Sequence, residues 1–393
     1  MKKNISILGS TGSIGKTTLK IIEKKKNFFS LYLLSANKNF SLISMQIKRY
    51  NPKIFVISDL KTFNRIKKKF SNKSRKTKIY NNFNNIKLKK SDITISAIPG
   101  IKGLEPTIIM TKFSKKVLLA NKESIICGWS LIKKTSLNYS TKLIPIDSEH
   151  FAISKLLENH KLNQVEKVYL TASGGPFLDF KAKQLEKVKP KDALNHPKWK
   201  MGKKISVDSA TLMNKMLEII EAQKLFNIPI NKLEVLIHPN SLVHAVLELK
   251  NGLTKFIYHK TSMIVPLANA ILDDNLNISE FHNFKKEKYF SDLLFQKVNS
   301  KIFPIIKIKK RLNEHPSTPI IINAANEILV DHFLRKNLPF LAINKIILTV
   351  LKDRNYINYA IRKPNNLNQI YAIDTWARKT TLKKIDLYDF KIT

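Results

Sequence analysis

Gly9-Ser-Thr-Gly-Ser-Ile-Gly15 follows the apolar run Asn4–Leu8 and opens a helical pattern over Ile14–Lys24. Glycines at 9, 12 and 15 permit a tight turn and a close backbone approach. The helix behind them offers free N–H groups and a positive dipole end to a pyrophosphate. Although the spacing is G-x-x-G-x-x-G, the strand–turn–helix context is that of a dinucleotide-binding unit. Outward from this turn, Leu31–Leu34 reads as a second strand and Leu42–Tyr50 as a second helix. Ile54–Ile57, Ile93–Ala97 and Val117–Leu119 are further short β-prone runs. Strands separated by helices of this length predict an α/β region, a Rossmann-like, doubly wound parallel sheet. Residues 60–92 are basic and weakly periodic, and read as a loosely packed helix and loop. Beyond about Asp147, loops rich in Gly, Ser and Pro interrupt mixed elements, an α+β texture. The patterns at Ile320–Leu334 and Leu341–Leu351 predict a C-terminal helical bundle. The expected organisation is 1–147, 148–274, a linker at 275–300, and 301–393.

The chain has 393 residues, enough for two or three domains, and 43% hydrophobic residues, which excludes a wholly disordered protein. A single cysteine excludes an internal disulfide framework and a Cys-based zinc cage, and fits a reducing compartment. The apolar run behind Lys2 and Lys3 breaks at Gly9, too short for a signal-peptide core, and no run is long enough to span a membrane. The expectation is a cytoplasmic protein without membrane contact. With 70 Lys+Arg against 29 Asp+Glu the net charge is +41. The lysines are spread throughout, as in Ile66-Lys-Lys-Lys-Phe70, and no nucleic-acid-binding module accompanies them. We read them as surface drift with no specific nucleic-acid partner; the field still favours phosphorylated substrates.

The second strand is followed by Ser35-Ala-Asn-Lys-Asn39. An NAD enzyme places a carboxylate there for the ribose hydroxyls, whereas Lys38 welcomes a 2′-phosphate, which favours NADPH. In Ile146-Asp-Ser-Glu-His150, an extended backbone would project Asp147 and Glu149 from one face, a pair suited to Mg²⁺ or Mn²⁺. Asp208-Ser-Ala-Thr-Leu-Met-Asn-Lys-Met-Leu-Glu218 reads as a helix start capped by Asp208 or Ser209. Asn214 and Glu218 share a face, as do Thr211, Lys215 and Glu218, forming either a phosphate cradle or an ordinary capped amphipathic helix. Ser173, in Thr171-Ala-Ser-Gly-Gly-Pro-Phe177, could hold an anion with neighbouring amides. His196-Pro-Lys-Trp-Lys-Met-Gly202 has the texture of a lid. His238 and His244 read most simply as packed residues, and Cys127 as buried and inert. No Ser-His-Asp arrangement, P-loop or HExxH occurs.

Taken in order, these segments resemble the 1-deoxy-D-xylulose 5-phosphate reductoisomerase family. The resemblance includes Leu118-Leu-Ala-Asn-Lys-Glu-Ser124, Lys204-Ile-Ser-Val-Asp-Ser-Ala-Thr211, Met213-Asn-Lys215, Ile237-His-Pro239 and Asn323-Ala-Ala-Asn-Glu327. It implies an NADPH-binding domain, a catalytic domain and a C-terminal helical domain in a homodimer. It implies cofactor contacts at Thr11, Gly12, Ser13, Ile14, Asn37, Lys38, Asn39, Asn121, Glu123 and Gly202. Metal ligands would be Asp147, Glu149 and Glu218, holding Mg²⁺ or Mn²⁺, with Co²⁺ a further option. Substrate contacts would be Lys122, Ser148, Glu149, Ser173, His196, Ser209, Asn214, Lys215 and Glu218, with Lys122, Glu149 and His196 closest to the chemistry. Trp199 and Met201 match the lid. The implied reaction rearranges and reduces a phosphorylated ketose. Departures from the family pattern are Asn37, Ile98-Pro-Gly100, Phe151, Met216 and Thr261-Ser-Met-Ile264. The three carboxylates separate this reading from a plain NADP-dependent dehydrogenase of another phosphorylated substrate, which needs no divalent metal. Their presence in so basic a chain also argues against a non-enzymatic polyanion-binding protein.

Overall fold

The computed structural model describes residues 2–71, 77–84, 86–199, 201–272, 276–281 and 293–388. Parts of the basic stretch (72–76 and 85), of the lid (Lys200) and of the expected linker (275 and 282–292) lie outside them.

The elements in chain order are β1 (Lys3–Leu8), α1 (Ser13–Lys24), β2 (Phe29–Ala36), α2 (Phe40–Tyr50), β3 (Ile54–Ile57), α3 (Leu60–Lys69), β4 (Lys78–Tyr80), β5 (Ser91–Ser96), α4 (Leu104–Lys112), β6 (Ser114–Leu119), α5 (Lys122–Asn138) and β7 (Lys142–Pro145). There follow α6 (Ser148–Leu157), β8 (Val165–Ala172), α7 (Pro190–Leu194), α8 (Lys203–Ala210), α9 (Met213–Phe226), β9 (Leu233–Ile237), β10 (Val243–Leu249), β11 (Thr254–Tyr258), α10 (Ile264–Leu272) and β12 (Gln296–Lys297). The chain closes with α11 (Thr318–Leu334), α12 (Phe340–Val350), α13 (Tyr356–Ala360) and α14 (Leu367–Asp386).

Two compact units result. The first comprises Met1–Ser124, Trp129–Asp147 and Met263–Glu287. Its sheet has the order β4-β3-β2-β1-β5-β6-β7, and every pairing is parallel. Strand order reverses at β1, so the turn after β1 stands at the topological switch point. Helices cover parallel sheets on both faces, which is why β3 reads Ile-Phe-Val-Ile and is buried throughout. Helix α1 buries Leu19, Ile21 and Ile22, and α10 adds Leu267, Ala268 and Ile271 to the same core. The caps are local: Asn39 accepts from the Leu42 amide at 3.0 Å, and Asp59 from the Thr62 amide at 2.9 Å.

The second unit comprises Ile125–Gly128, Ser148–Ser262 and Lys288–Thr393. Its sheet has the order β11-β10-β8-β9-β12, parallel only between β8 and β9. Helices α11, α12 and α14 pack on one another. By contact, Met263–Glu287 therefore groups with the first unit, and the C-terminal helices group with the 148–262 segment.

Several local expectations are corrected. The basic stretch 60–92 contains a well-anchored helix, α3, whose Ile66 is fully buried, and an edge strand, β4. Glu149 does not extend from a strand: β7 stops at Pro145 and Glu149 lies in the first turn of α6. Asp208 and Ser209 do not cap the helix bearing Glu218; they end α8. The break is made by Leu212, whose φ of +64° places a bulky side chain in the left-handed region.

Candidate active site

The first unit forms a cradle at the end of β1. Gly9 has φ of +84°, and a Cβ there would lie 2.5 Å from the Ala97 carbonyl oxygen. A Cβ on Gly15 would lie 2.4 Å from the Gly9 carbonyl oxygen, so α1 approaches the turn as only glycine allows. Gly12 is the N-cap of α1 and supplies no side-chain cap, which leaves the first-turn amides for a ligand. Thr11, Gly12, Ser13 and Ile14 all lie on this turn. The turn is held from behind: the Ser10 hydroxyl donates to Gln46 Oε1 at 2.6 Å, and Gln46 Nε2 returns a bond to the Ser10 carbonyl at 2.9 Å. Sequence reading missed this pair; a polar Gln on the inward face of α2 was its only signal.

Asn37, Lys38 and Asn39 follow β2 directly. The Ser58 hydroxyl donates to Asn37 Oδ1 at 3.2 Å, and Asn39 caps α2. Asn121 caps α5, accepting from the Ser124 amide at 2.5 Å, and its Nδ2 donates to the carbonyls of Ile98 and Gly100. This side chain ties the β5 and β6 ends together, and only 2% of it is exposed. Lys122 and Glu123 follow in the first turn of α5, both buried. The Lys122 ammonium lies 3.6 Å from Asp147, the residue at which the first unit ends.

In the second unit, the Lys215 ammonium sits between two carboxylates, 2.5 Å from Glu149 Oε1 and 2.6 Å from Glu218 Oε2. The Ser148 hydroxyl donates to Glu149 Oε2 at 2.6 Å, and Asn214 Nδ2 donates to Glu218 Oε1. Behind them, His150 Nε2 donates to the Glu218 carbonyl at 3.0 Å, while its Nδ1 stands 3.5 Å from Glu221. Two hard carboxylates thus converge on one cation, and such oxygen donors suit Mg²⁺ or Mn²⁺. Oriented by Leu212, α9 supplies Asn214, Lys215 and Glu218 from one face.

Ser173 and His196 meet on the same unit. The amides of Trp199 and Lys198 donate to His196 Nδ1 at 2.9 and 3.2 Å, so the ring proton resides on Nε2. Nε2–H then donates to Ser173 Oγ at 3.0 Å, and that hydroxyl oxygen also accepts from the Gly175 amide at 3.0 Å. Burial, and then the charge of Lys215, hold the His196 pKa below its ordinary value, so the imidazole is neutral. Gly174 and Gly175 both take positive φ, and a Cβ on Gly175 would sit 3.2 Å from the Ser209 carbonyl oxygen. The turn thereby packs against the end of α8, which carries Ser209. The C-terminal helices fix this geometry: Phe177 packs on Phe340 at 5.1 Å between centroids, and Asn326 Nδ2 donates to Asp208 Oδ1 at 2.7 Å. Gly202, the N-cap of α8, faces open space. Cys127 is buried, as expected.

Family models for 1-deoxy-D-xylulose 5-phosphate reductoisomerase match residues 5–128, and models for its C-terminal domains match 143–226 and 259–380. A 1-deoxy-D-xylulose 5-phosphate reductoisomerase from Pelagibacter ubique (strain HTCC1062) is 41% identical over 380 residues, 95% of this chain and 97% of the relative. The chain belongs to the 1-deoxy-D-xylulose 5-phosphate reductoisomerase family.

Solved members of the reductoisomerase family have the same fold. The Zymomonas mobilis enzyme in complex with NADPH aligns with TM-score 0.84 at 31% identity, covering 98% of this chain and 99% of that one. A complex of the family enzyme with NADPH, fosmidomycin and magnesium aligns with TM-score 0.90 at 30% identity, covering 98% of each chain. Among the described residues of this family member, no helix is long and apolar enough to cross a membrane.

Proposed function

We propose that this chain converts 1-deoxy-D-xylulose 5-phosphate to 2-C-methyl-D-erythritol 4-phosphate, using NADPH and a divalent cation, in isoprenoid precursor biosynthesis. The observation that carries the reading is the meeting of Glu149 and Glu218 at one cationic point, on the unit that also holds the Ser173–His196 pair. Asp147, two residues ahead of Glu149, completes the proposed ligand set for Mg²⁺, Mn²⁺ or Co²⁺. When bound, the cation would polarise the ketone, and NADPH would supply the hydride.

The chain's own residues do the rest of the work. Ser173, Ser209, Asn214 and Lys215 anchor the substrate phosphate, with His196 Nε2–H as a neutral donor beside them. That remote binding energy holds the reacting carbons in place. Ser148 orients Glu149, and Lys122 offers its ammonium to developing oxyanion charge. Trp199 and Met201 cover the substrate and exclude water. Ser13 and Ile14 present first-turn amides with no capping side chain to the NADPH pyrophosphate, Thr11 and Gly12 line the same turn, whose Gly12 amide is held by the Gly9 carbonyl, and Lys38 meets the 2′-phosphate. Asn37, Asn39, Asn121, Glu123 and Gly202 complete the cofactor contacts. In this reading residues 1–147 bind NADPH, 148–274 form the catalytic domain, 275–300 link, and 301–393 support the phosphate site. The enzyme works in the cytoplasm as a homodimer.

The test is NADPH oxidation with 1-deoxy-D-xylulose 5-phosphate, with and without Mg²⁺ or Mn²⁺, followed by identification of the product. Turnover only with cation present and a branched polyol phosphate as product are expected. Metal-independent reduction without carbon rearrangement would instead make the protein a simple NADP-dependent dehydrogenase.

A further inference from the structure

The second unit holds a stack of aromatic rings of which the proposed reaction uses only Trp199. His244 stands on β10 where the β10–β11 register slips: Val243 pairs with Tyr258, but Ala245 pairs with Ile257. His244 is thus the extra residue of a β-bulge, a device that re-aims a side chain. It brings His244 flat against His259, just past β11, with ring centroids 3.8 Å apart and planes 17° from parallel. The edge of Phe151 packs on His259 at 6.3 Å, and Trp199 packs on His244 at 6.1 Å. The rings therefore run from α6, two residues beyond Glu149, to the segment that carries His196.

Main-chain carbonyls set both tautomers. His244 Nε2 donates to the His259 carbonyl at 3.2 Å, and His259 Nδ1 donates to the Lys260 carbonyl at 2.8 Å. His259 Nε2 is buried and has no hydrogen-bond partner among the described residues. Burial, then the neighbouring His244, push the His259 pKa down to about 3, so this ring stays neutral at working pH. A neutral ring with an idle buried nitrogen contributes a flat surface.

We propose that His259 is a positioning residue: it backs His244, and the paired rings form the ledge on which Trp199 rests. Trp199 seated on the ledge keeps its amide on His196 Nδ1, which in turn keeps Nε2–H on Ser173. The consequence for substrate rests on the reading of Trp199 and His196 as part of the substrate cover; the ledge itself does not.

The test uses full-length protein in which Trp199 is the sole tryptophan, through Trp129→Phe and Trp376→Phe. Acrylamide quenching of Trp199 is read beside the KM values and kcat. His259→Ala should expose Trp199 to quencher and raise the substrate KM about three- to tenfold, the range for a lost aromatic pair. The KM for NADPH should not move, and kcat should change by less than about twofold, since uniform binding alone is lost. His259→Phe should restore both quenching and substrate KM, because it keeps the ring and loses only the bond to Lys260. His259→Leu, which keeps volume without a flat ring, should behave like the alanine variant and takes its place if that variant does not fold. Unchanged Trp199 quenching in His259→Ala, or a phenylalanine variant as impaired as the alanine one, overturns the ledge. Altered quenching with unchanged substrate KM in both His259→Ala and Trp199→Phe supports the ledge and overturns the reading of the segment as a cover.

Discussion

Replacing Glu218 by glutamine removes a charge from a side chain that touches both Lys215 and Asn214, while keeping its shape. Glu149 still neutralises Lys215, so Glu218→Gln should fold and bind NADPH normally. Its metal-dependent kcat should fall about 100- to 1000-fold, as for other lost transition-state electrostatics, and near-normal turnover would sink the metal reading. Lys38→Asp should raise the KM for NADPH about tenfold and narrow the preference over NADH, measured by initial rates with each cofactor. Acidity acts at two histidines. Charging His196 would put a proton on Nδ1, facing the amides of Lys198 and Trp199. Because its pKa is lowered, substrate KM should stay flat through neutrality and rise only below the usual histidine range. His259 titrates near 6.5 unfolded and about 3 folded, so the unfolded chain binds the proton first as pH falls. Stability should drop between those values, by about 2 kcal/mol at pH 5, and His259→Phe should flatten that slope in denaturant titrations.

Individual elements were legible where the pattern is local. The runs at Ile54–Ile57 and over Ile14–Lys24 became β3 and α1 because a short continuous apolar run suits a strand covered on both faces, and burial recurring at three to four residues suits a helix with one buried face. Two junctions were not legible. The end of α8 read as the capped start of the helix bearing Glu218 because Leu212 is an unfavourable residue for a left-handed break, held there by its burial. Glu149 looked like part of a strand because Asp147 and Glu149 alternate, yet the chain turns into α6 after Pro145. Gly15→Ala tests the cofactor cradle as an element: α1 must shift to clear the Gly9 carbonyl. Overpacking of this kind costs about 1–3 kcal/mol and should show as a lower Tm and a higher KM for NADPH. Phe340→Ala tests the support of the Ser173 turn through Phe177. It should cost about 3–5 kcal/mol of stability and raise the substrate KM while leaving the KM for NADPH unchanged.

For the molecule as a whole, the charge of +41 predicts salt-sensitive association with any polyanion. Lys67, Lys68, Lys87 and Lys90 are exposed and are not among the proposed contacts. Changing these four to Gln should leave kcat within about twofold and weaken nonspecific DNA binding, with a shallower dependence on salt. A salt-resistant, sequence-selective complex would mean that the charge serves a nucleic-acid partner. The sequence by itself determined the parallel α/β region, the glycine turn, Lys38 after the second strand, and the acidic residues available to a cation. Those signals are local, carried by periodicity within one segment or by a residue type that the backbone or the ligand chemistry requires. The tertiary structure decided which groups meet: Lys215 with Glu149 across 66 residues, Asn326 with Asp208, and His259 with His244 through a bulge. Such meetings depend on strand register, on a left-handed residue between two helices, and on helices more than a hundred positions downstream. No periodicity encodes these distances, because they are set only when the long loops close and the cores pack.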